Sequence, residues 1–333
     1  MRWFVMHCGS STKGLGRVNG GCRFSAPVLA LALGAVGLAL PTGGCRAGEA
    51  IQSGPCRVVT LDLATDSLIM QMVDASRLAA VSLVSQDPEV SRFWRKASCV
   101  PAIRRESAEG IYQLEPDLVI LGPWSSRLTV DLLERLGLNV ARMRSAVTWQ
   151  DVFGQVRGVG ELLHAQSEAE LLVEGMIGRL DEIRNRTDGG DPKRAVFYIG
   201  RGSTYGSGTR QDTVMQSAGL LNVAAEAGVK GVGKLSVEEL LLLRPDMIVF
   251  SSYHRDTPTL SREILNHPAF RKAAVSGRME LIELAAQDLL ALDHGLVDCV
   301  EHLARTAYPE RFAHIPFAKS APGQRINRSI EPR

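Results

Sequence analysis

The sequence predicts an α/β protein of two lobes, each with a parallel-sheet core, joined by a single long α-helix. Three observations predict it. The segment "SAEGIYQLEPDLVIL" at Ser107 to Leu121 returns as "SVEELLLLRPDMIVF" at Ser236 to Phe250, displaced by 129 residues. Each copy follows a segment that begins as a strand and turns into an amphipathic helix, "RVVTLDLATDSLIMQMV" and "RAVFYIGRGSTYGSGTRQDTVMQSAG". Between the halves lies a helical stretch beginning "TWQDVFGQVRGVGELL". A repeat of this length is far beyond a solenoid period and fits two duplicated lobes. The reading is two Rossmann-like lobes, over 56–148 and 193–315, with a connecting segment at 149–190.

The first 50 residues read as an export leader. Arg2, Lys13, Arg17 and Arg23 precede an apolar stretch from Ala26 to Leu40 and a small-residue exit, the pattern of a secretory signal peptide. That stretch falls short of the roughly 20 residues of a membrane-spanning helix. Cys45, in "TGGC", is a candidate for lipidation, although Thr42 stands where an apolar residue is usual; cleavage after Ala47 or Ala50 is the alternative. Without the leader, 33 of 38 basic and 35 of 36 acidic residues remain. A chain so nearly neutral has no nucleic-acid-binding footprint. Three of six cysteines remain, Cys56, Cys99 and Cys299. An oxidising compartment permits one bridge and a spare thiol, and Cys56 with Cys99 flanks the first α/β unit.

In each repeat copy a serine, Ser107 or Ser236, suits the N-cap of a short helix, and Glu109 or Glu238 in the first turn suits its dipole. Pro116 and Pro245 stop the helix, and a continuous apolar strand follows. The connecting segment is expected to be helical with interruptions at Gly154, Gly158 and Gly160. A second helix then opens with a capping box, Ser167-x-x-Glu170. Leu172, Met176, Leu180 and Ile183 mark its buried face up to Gly189-Gly190, a helix of roughly 30 Å. The tail over 318–333 lacks apolar periodicity and is expected to be disordered.

Ligands of open parallel sheets sit beyond the carboxyl ends of the strands, so two facing lobes make a cleft lined by loops of both. The loop from Gly200 to Gly208 raises the alternative of a phosphate cradle. Its spacing, Gly200-x-Gly202-x-x-x-Gly206, is one residue longer than the dinucleotide fingerprint, and the next helix is expected only near Asp212.

Taken in order, "RVVTLDLATDSLIMQM", "SAEGIYQLEPDLVILGP", "YGSGTRQDTVMQSAGLLNVAAEAG" and "LSVEELLLLRPDMIVF" resemble the periplasmic substrate-binding proteins of ABC importers, cobalamin and ferric-siderophore type, over about 56–310. The resemblance implies a periplasmic protein with no cofactor that captures a metal chelate between its lobes. It implies delivery to an ABC permease dimer in the inner membrane, with Glu109 and Glu238 docking on permease arginines. Two equivalent carboxylates on two equivalent lobes suit a two-fold partner; Glu239 is a bland neighbour. The protein itself is expected to be a monomer.

By the same resemblance, the glycine loop faces the cleft, its glycines letting the backbone approach a bulky ligand, with Tyr205 and Arg201 on it. Trp124 and Arg127 follow the strand ending at Leu121; Tyr253, His254 and Arg255 follow the strand ending at Phe250. Aromatic platforms suit cobalamin or haem and arginines suit an anionic ferric siderophore, with sparse tryptophan tilting the reading towards iron chelates. Trp149 is expected to pack the start of the connecting segment.

Two rival readings are weaker. His294, Asp298 and His302, spaced i, i+4 and i+8, suggest a metal-carrying protein, against which they read as a solvated stripe on the last helix. An exported enzyme finds no H-E-x-x-H, G-x-S-x-G or P-loop motif to support it, and the one S-x-x-K, Ser10 to Lys13, falls in the leader.

Overall fold

The computed structural model describes residues 54–199, 202–252 and 278–313, together with residues 267, 268, 270, 272 and 276. The leader with Cys45, and the tail over 318–333, lie outside the described residues.

The first lobe runs β1 (Val58–Thr60), α1 (Leu63–Met72), β2 (Leu78–Ser82), α2 (Trp94–Ala97), β3 (Ala102–Ile103), α3 (Ala108–Tyr112), β4 (Leu118–Leu121), α4 (Arg127–Arg135) and β5 (Val140–Arg142). Its five strands are all parallel, in the order β3-β2-β1-β4-β5. The sheet is covered on both faces, which is why β4 is apolar at successive positions and buried at every one.

Two helices follow, α5 (Trp149–Leu163) and α6 (Gln166–Thr187). The second lobe then runs β6 (Lys193–Ile199), β7 (Ser203–Tyr205), α7 (Arg210–Ser217), β8 (Leu220–Asn222), α8 (Val223–Glu226), β9 (Val232–Lys234), α9 (Val237–Leu243), β10 (Met247–Ser252), β11 (Glu280–Ala285), α10 (Ala286–Leu290) and α11 (His294–Ala307). Strands β8, β6, β10 and β11 pair in parallel, while β7 folds back antiparallel on the end of β6 and is itself paired by β9.

The internal repeat extends to individual hydrogen bonds. Ser107 and Ser236 both cap their helices, accepting from Gly110 N and Glu239 N. Glu115 and Arg244 close the matching turns, each with φ of 46°. Asp117 then accepts from the backbone of Cys56 and Arg57 at 3.0 Å each, and Asp246 from Arg194 N at 2.8 Å. The guanidinium groups of Arg57 and Arg194 donate to the carbonyls of Leu114 and Leu243, which are repeat equivalents. The Pro-Asp pair therefore does two jobs: proline ends the helix, and aspartate fastens the next strand beside its neighbour.

The connecting segment departs from expectation in three ways. Helix α5 runs unbroken through Gly154, Gly158 and Gly160. Its start carries the capping box, with Thr148 accepting from Asp151 N and the Asp151 carboxylate from Thr148 N. No such box forms at Ser167, because α6 has already begun at Gln166, straight after His164 turns the chain in the left-handed region. Glu170 instead holds Arg157 of α5 at 2.7 and 2.8 Å. Gly160 permits this tight return, since a Cβ there would lie 2.5 Å from that of Ala169. Helix α6 has 22 residues, about 33 Å. Its buried face is Ala169, Val173, Met176 and Ile183, with Leu172 and Leu180 only flanking it.

One hydrophobic core joins the lobes. It runs from Val58, Val81 and Leu118, through Val156, Val173 and Met176, to Phe197, Val249 and Val300. Alternate strand residues face away from it: Val59 and Val119 serve a cluster on the outer side of the first sheet, Val196 and Ile248 one on the outer side of the second.

Buried charges reinforce the same contact. Arg92 of the first lobe pairs with Asp288 at 2.6 Å and Asp298 at 2.7 Å, both in the second lobe. Arg179 of α6 holds Asp298 and Glu301 at 2.6 Å each. Asp293, the cap of α11, accepts from Ser67 at 3.2 Å and Gln71 at 2.5 Å on α1.

The cysteines correct one expectation. Cys56 is a buried free thiol whose Sγ lies 3.6 Å from the carbonyl of Gly54, and Cys99 is disulfide-bonded elsewhere, so the Cys56–Cys99 bridge is not made.

The aspartate clasp gives a stability prediction. Asp246→Ala leaves the Arg194 amide without its carboxylate partner and is expected to cost about 1–2 kcal/mol. A urea-denaturation midpoint unchanged from the parent contradicts it.

Candidate functional site: the inter-lobe cleft

The ion pairs from Arg92 to Asp288 and the bonds from α1 to Asp293 bring together loops that follow the carboxyl ends of strands in both sheets. The two sheets thus turn their ligand-binding edges towards one another.

On the first lobe, the middle of this edge carries two buried aspartates, Asp62 and Asp66. Asp62 follows β1 and caps α1, its Oδ1 accepting from Thr65 N at 3.0 Å. Its Oδ2 is buried with no hydrogen-bond partner among the described residues and lies against Gly122, and burial raises its pKa. One turn on, Asp66 is buried completely. It accepts from Ser82 N at 2.9 Å, from Ser85 Oγ at 2.6 Å, and from the hydroxyls of Ser82 and Thr60. These bonds lash the β1–α1 loop to the end of β2. Burial nonetheless dominates and pushes the Asp66 carboxyl up to about 7.

Flanking these acids are exposed apolar side chains. Leu83 and Val84, after β2, are 39% and 50% exposed; Trp124, after β4, is 91% exposed. Since β1 lies between β2 and β4, they bracket the Asp62 loop. Arg127 is exposed at the start of α4. Trp149 lies apart from this set: its ring stacks 6.0 Å from that of Phe153 and its Nε1 donates to Ser217 Oγ at 2.7 Å.

On the second lobe, the glycine-rich loop serves the chain's own strands. Gly206 N donates to Gly231 O at 2.8 Å and Ser207 N to Val229 O at 3.0 Å. A Cβ at Gly206 would collide with the Val229 carbonyl, so the glycine is needed for backbone to approach backbone. Helix α7 begins at Arg210, two residues before the expected start, with Thr209 Oγ1 accepting from Asp212 N at 3.2 Å. Tyr205 is half-buried, its ring edge-on to Phe197 at 6.1 Å. Beside it stands Arg210, which the sequence reading missed. Nothing in the pattern distinguishes it from any arginine in a first helical turn. Arg201, Tyr253, His254 and Arg255 lie outside the described residues.

The histidine stripe of α11 is not solvated. Leu296 to Glu301 are all buried, Asp298 is held by Arg92 and Arg179, and the His294 ring lies against Gly175 of α6. His294, Asp298 and His302 thus sit on a helix that packs on the connecting helix. Among the described residues no group of histidine, cysteine and carboxylate side chains is placed to hold a metal ion.

Glu109 and Glu238 are exposed and have no ion pair among the described residues. Glu239 is occupied, its carboxylate accepting from Ser236 N at 2.7 Å in a capping box. It is the glutamate tied to structure, and its neighbour is the one left free.

Two lobes with parallel-sheet cores, joined by a long helix and by one continuous core, are the architecture of the two-lobed periplasmic binding proteins. The chain belongs to the periplasmic binding protein family, whose model matches residues 58–278. A cobalamin-binding protein of Halobacterium salinarum is 26% identical over 204 residues, 60% of this chain and 54% of that protein. The match thus spans about half the length of that relative. An ABC transporter substrate-binding lipoprotein of Bacillus subtilis, itself uncharacterised, is 23% identical over 215 residues, 62% of this chain and 66% of that protein. Among solved structures, an apo periplasmic heme-binding protein of Roseiflexus sp. RS-1 superposes with a TM-score of 0.64 at 22% identity, covering 78% of this chain and all of that one. A periplasmic heme-binding protein of Pseudomonas aeruginosa gives 0.63 at 23% identity, covering 77% and 93%. These likenesses establish the fold. No helix among the described residues is long and apolar enough to cross a membrane.

Asp66 predicts a pH dependence. Its folded pKa of about 7 lies above its ordinary 3.8, so the folded state binds the extra proton between those values. Its contribution to stability is full below about pH 4 and lost as pH rises through about 7. Asp66→Asn, which mimics the neutral acid, is expected to flatten this part of the profile. Urea midpoints at about pH 4.5 and about pH 7.5 check it; an unchanged slope in the variant contradicts the assignment.

Proposed function

We propose that this chain is the substrate-binding protein of an ABC importer, with lobes over 56–148 and 193–315. Its ligand is a metal chelate: a ferric siderophore, cobalamin or haem. The observation that carries the reading is Trp124. An indole 91% exposed at the carboxyl end of a central strand, with Leu83 and Val84 across the Asp62 loop, is an apolar platform held open at a ligand-binding edge. A flat or bulky chelate covers such a platform and takes it out of water.

Capture involves no chemistry on the ligand. The chelate enters between the lobes, the loops cover part of it, and the loaded protein docks through Glu109 and Glu238. A two-fold permease presents the same arginine-bearing surface twice, and the repeat presents the same free glutamate twice. The continuous core and the Arg92 pairs favour a small closure over a wide one.

Two outcomes are expected. Trp124→Ala weakens binding of haemin, cyanocobalamin or a ferric siderophore, whichever the parent takes up, by about tenfold, read by equilibrium titration. Equal affinity removes Trp124 from the site. The double reversal Glu109→Arg/Glu238→Arg abolishes uptake in cells while ligand affinity of the isolated protein is retained. Normal uptake by the double variant sinks the docking assignment.

A further inference from the structure

Arg210 differs from the other partly buried arginines, of which Arg186 lies over the Phe312 ring and Arg311 donates to the carbonyls of Arg186, Thr187 and Asp188. Arg92, Arg179, Arg194 and Arg305 each pair with a carboxylate, and Arg77 donates to the carbonyls of Pro55 and Leu163. Arg210 has neither kind of partner among the described residues, although burial is strong enough to lower its pKa. The titratable groups that its charge meets are Tyr205 and Cys299, and burial keeps both neutral by raising their pKa values. A guanidinium with five donors, removed from much of its water and given no anion in return, is a cost to the fold.

Its position is a ligand position. Helix α7 leads to β8, which pairs in parallel with the first residues of β6, Lys193 to Ala195. The opposite end of the helix, where Arg210 stands, therefore lies towards the carboxyl end of β6. Arg210 is thus at the carboxyl-end edge of the second sheet, the edge from which α10, with Asp288, also follows.

We propose that Arg210 is the anion-recognition residue of the cleft, and that the ligand carries a carboxylate or phosphate group that completes its missing ion pair. The inference rests on the reading of the cleft as the ligand site, and it adds a requirement: an apolar body for the Trp124 side and an anionic group for the Arg210 side. Its planar fork suits two-point pairing with either anion.

The test uses citrate and inorganic phosphate as probes, with melting temperature followed against probe concentration for the mature protein. At least one probe is expected to raise the melting temperature of the parent. Arg210→Met is expected to weaken that effect at least tenfold in probe concentration, and Arg210→Lys to weaken it less. A response to citrate alone assigns a carboxylate, and to phosphate alone a phosphate. In probe-free buffer of low ionic strength, Arg210→Met is expected to melt higher than the parent, because it removes an unpaired charge. Arg92→Met, which strips buried Asp288 of its ion pair and leaves Asp298 with Arg179 alone, is expected to melt lower. A parent indifferent to both probes, a variant as responsive as the parent, or an Arg210→Met protein that melts lower as Arg92→Met does would overturn the proposal. Since neither probe is a metal chelate, failure of haemin, cyanocobalamin and ferric siderophores to bind would overturn the chelate reading separately.

Discussion

The mutual position of the two sheets depends on a small set of charges buried between them. Arg92 reaches from the first lobe to Asp288 and Asp298, and Arg179 reaches from the connecting helix to Asp298 and Glu301. Such a network adds little net stability, since desolvating the ions offsets most of their attraction. Its effect is on alternatives: any arrangement that parts Arg92 from its aspartates leaves charges buried without partners. Burial alone would lower the pKa of Arg92, but Asp288 and Asp298 outweigh it and raise it, so the guanidinium stays charged. Around these ions the apolar core passes from one lobe to the other without a break. The mutual position of the carboxyl-end loops is therefore set by the chain itself, which limits the ordering that ligand binding in the proposed cleft must impose.

In the proposed cleft, that fixed frame gives each side a distinct chemistry. The first lobe offers an exposed indole and two aliphatic side chains around an acidic loop whose bonds are directed inward to Ser82 and Ser85. The second offers a guanidinium with no internal anion beside a half-buried tyrosine. Nucleotide-type phosphate binding by the glycine loop is replaced by a structural role, because Gly206 and Ser207 are consumed in pairing with the segment at 229–231 that leads into β9. The outer surfaces carry the free glutamates of α3 and α9, at equivalent points of the repeat.

Local and repeated features were legible in the sequence. The 129-residue repeat gave two lobes, and each serine caps its helix as its chemistry suggests, with the early glutamate placed in the first turn and the proline following the helix end. The Asp117 and Asp246 clasps were equally available, since an aspartate recurs after each proline, but the repeat alone does not say which backbone amides they meet. Helix boundaries in the connecting segment misled because two capping boxes were possible. Thr148 with Asp151 formed, whereas Ser167 with Glu170 was overtaken by the turn at His164. Partners far apart in the chain were not legible. Arg92 with Asp288, and the burial of Asp298 that removes it from metal binding, come from packing between lobes. Arg210 was invisible for the complementary reason: its meaning lies in the absence of a partner, which only the fold reveals.

The central claim is that the cleft takes up one metal chelate and returns it unaltered. The most direct measurement is a titration of the mature protein with haemin, cyanocobalamin and a set of ferric siderophores, following absorbance and tryptophan emission, with the ligand recovered and analysed afterwards. The account predicts saturation by one of them at one equivalent, at micromolar concentration or below, with the ligand recovered intact. No saturation by any of them, or a ligand chemically changed on recovery, would contradict it.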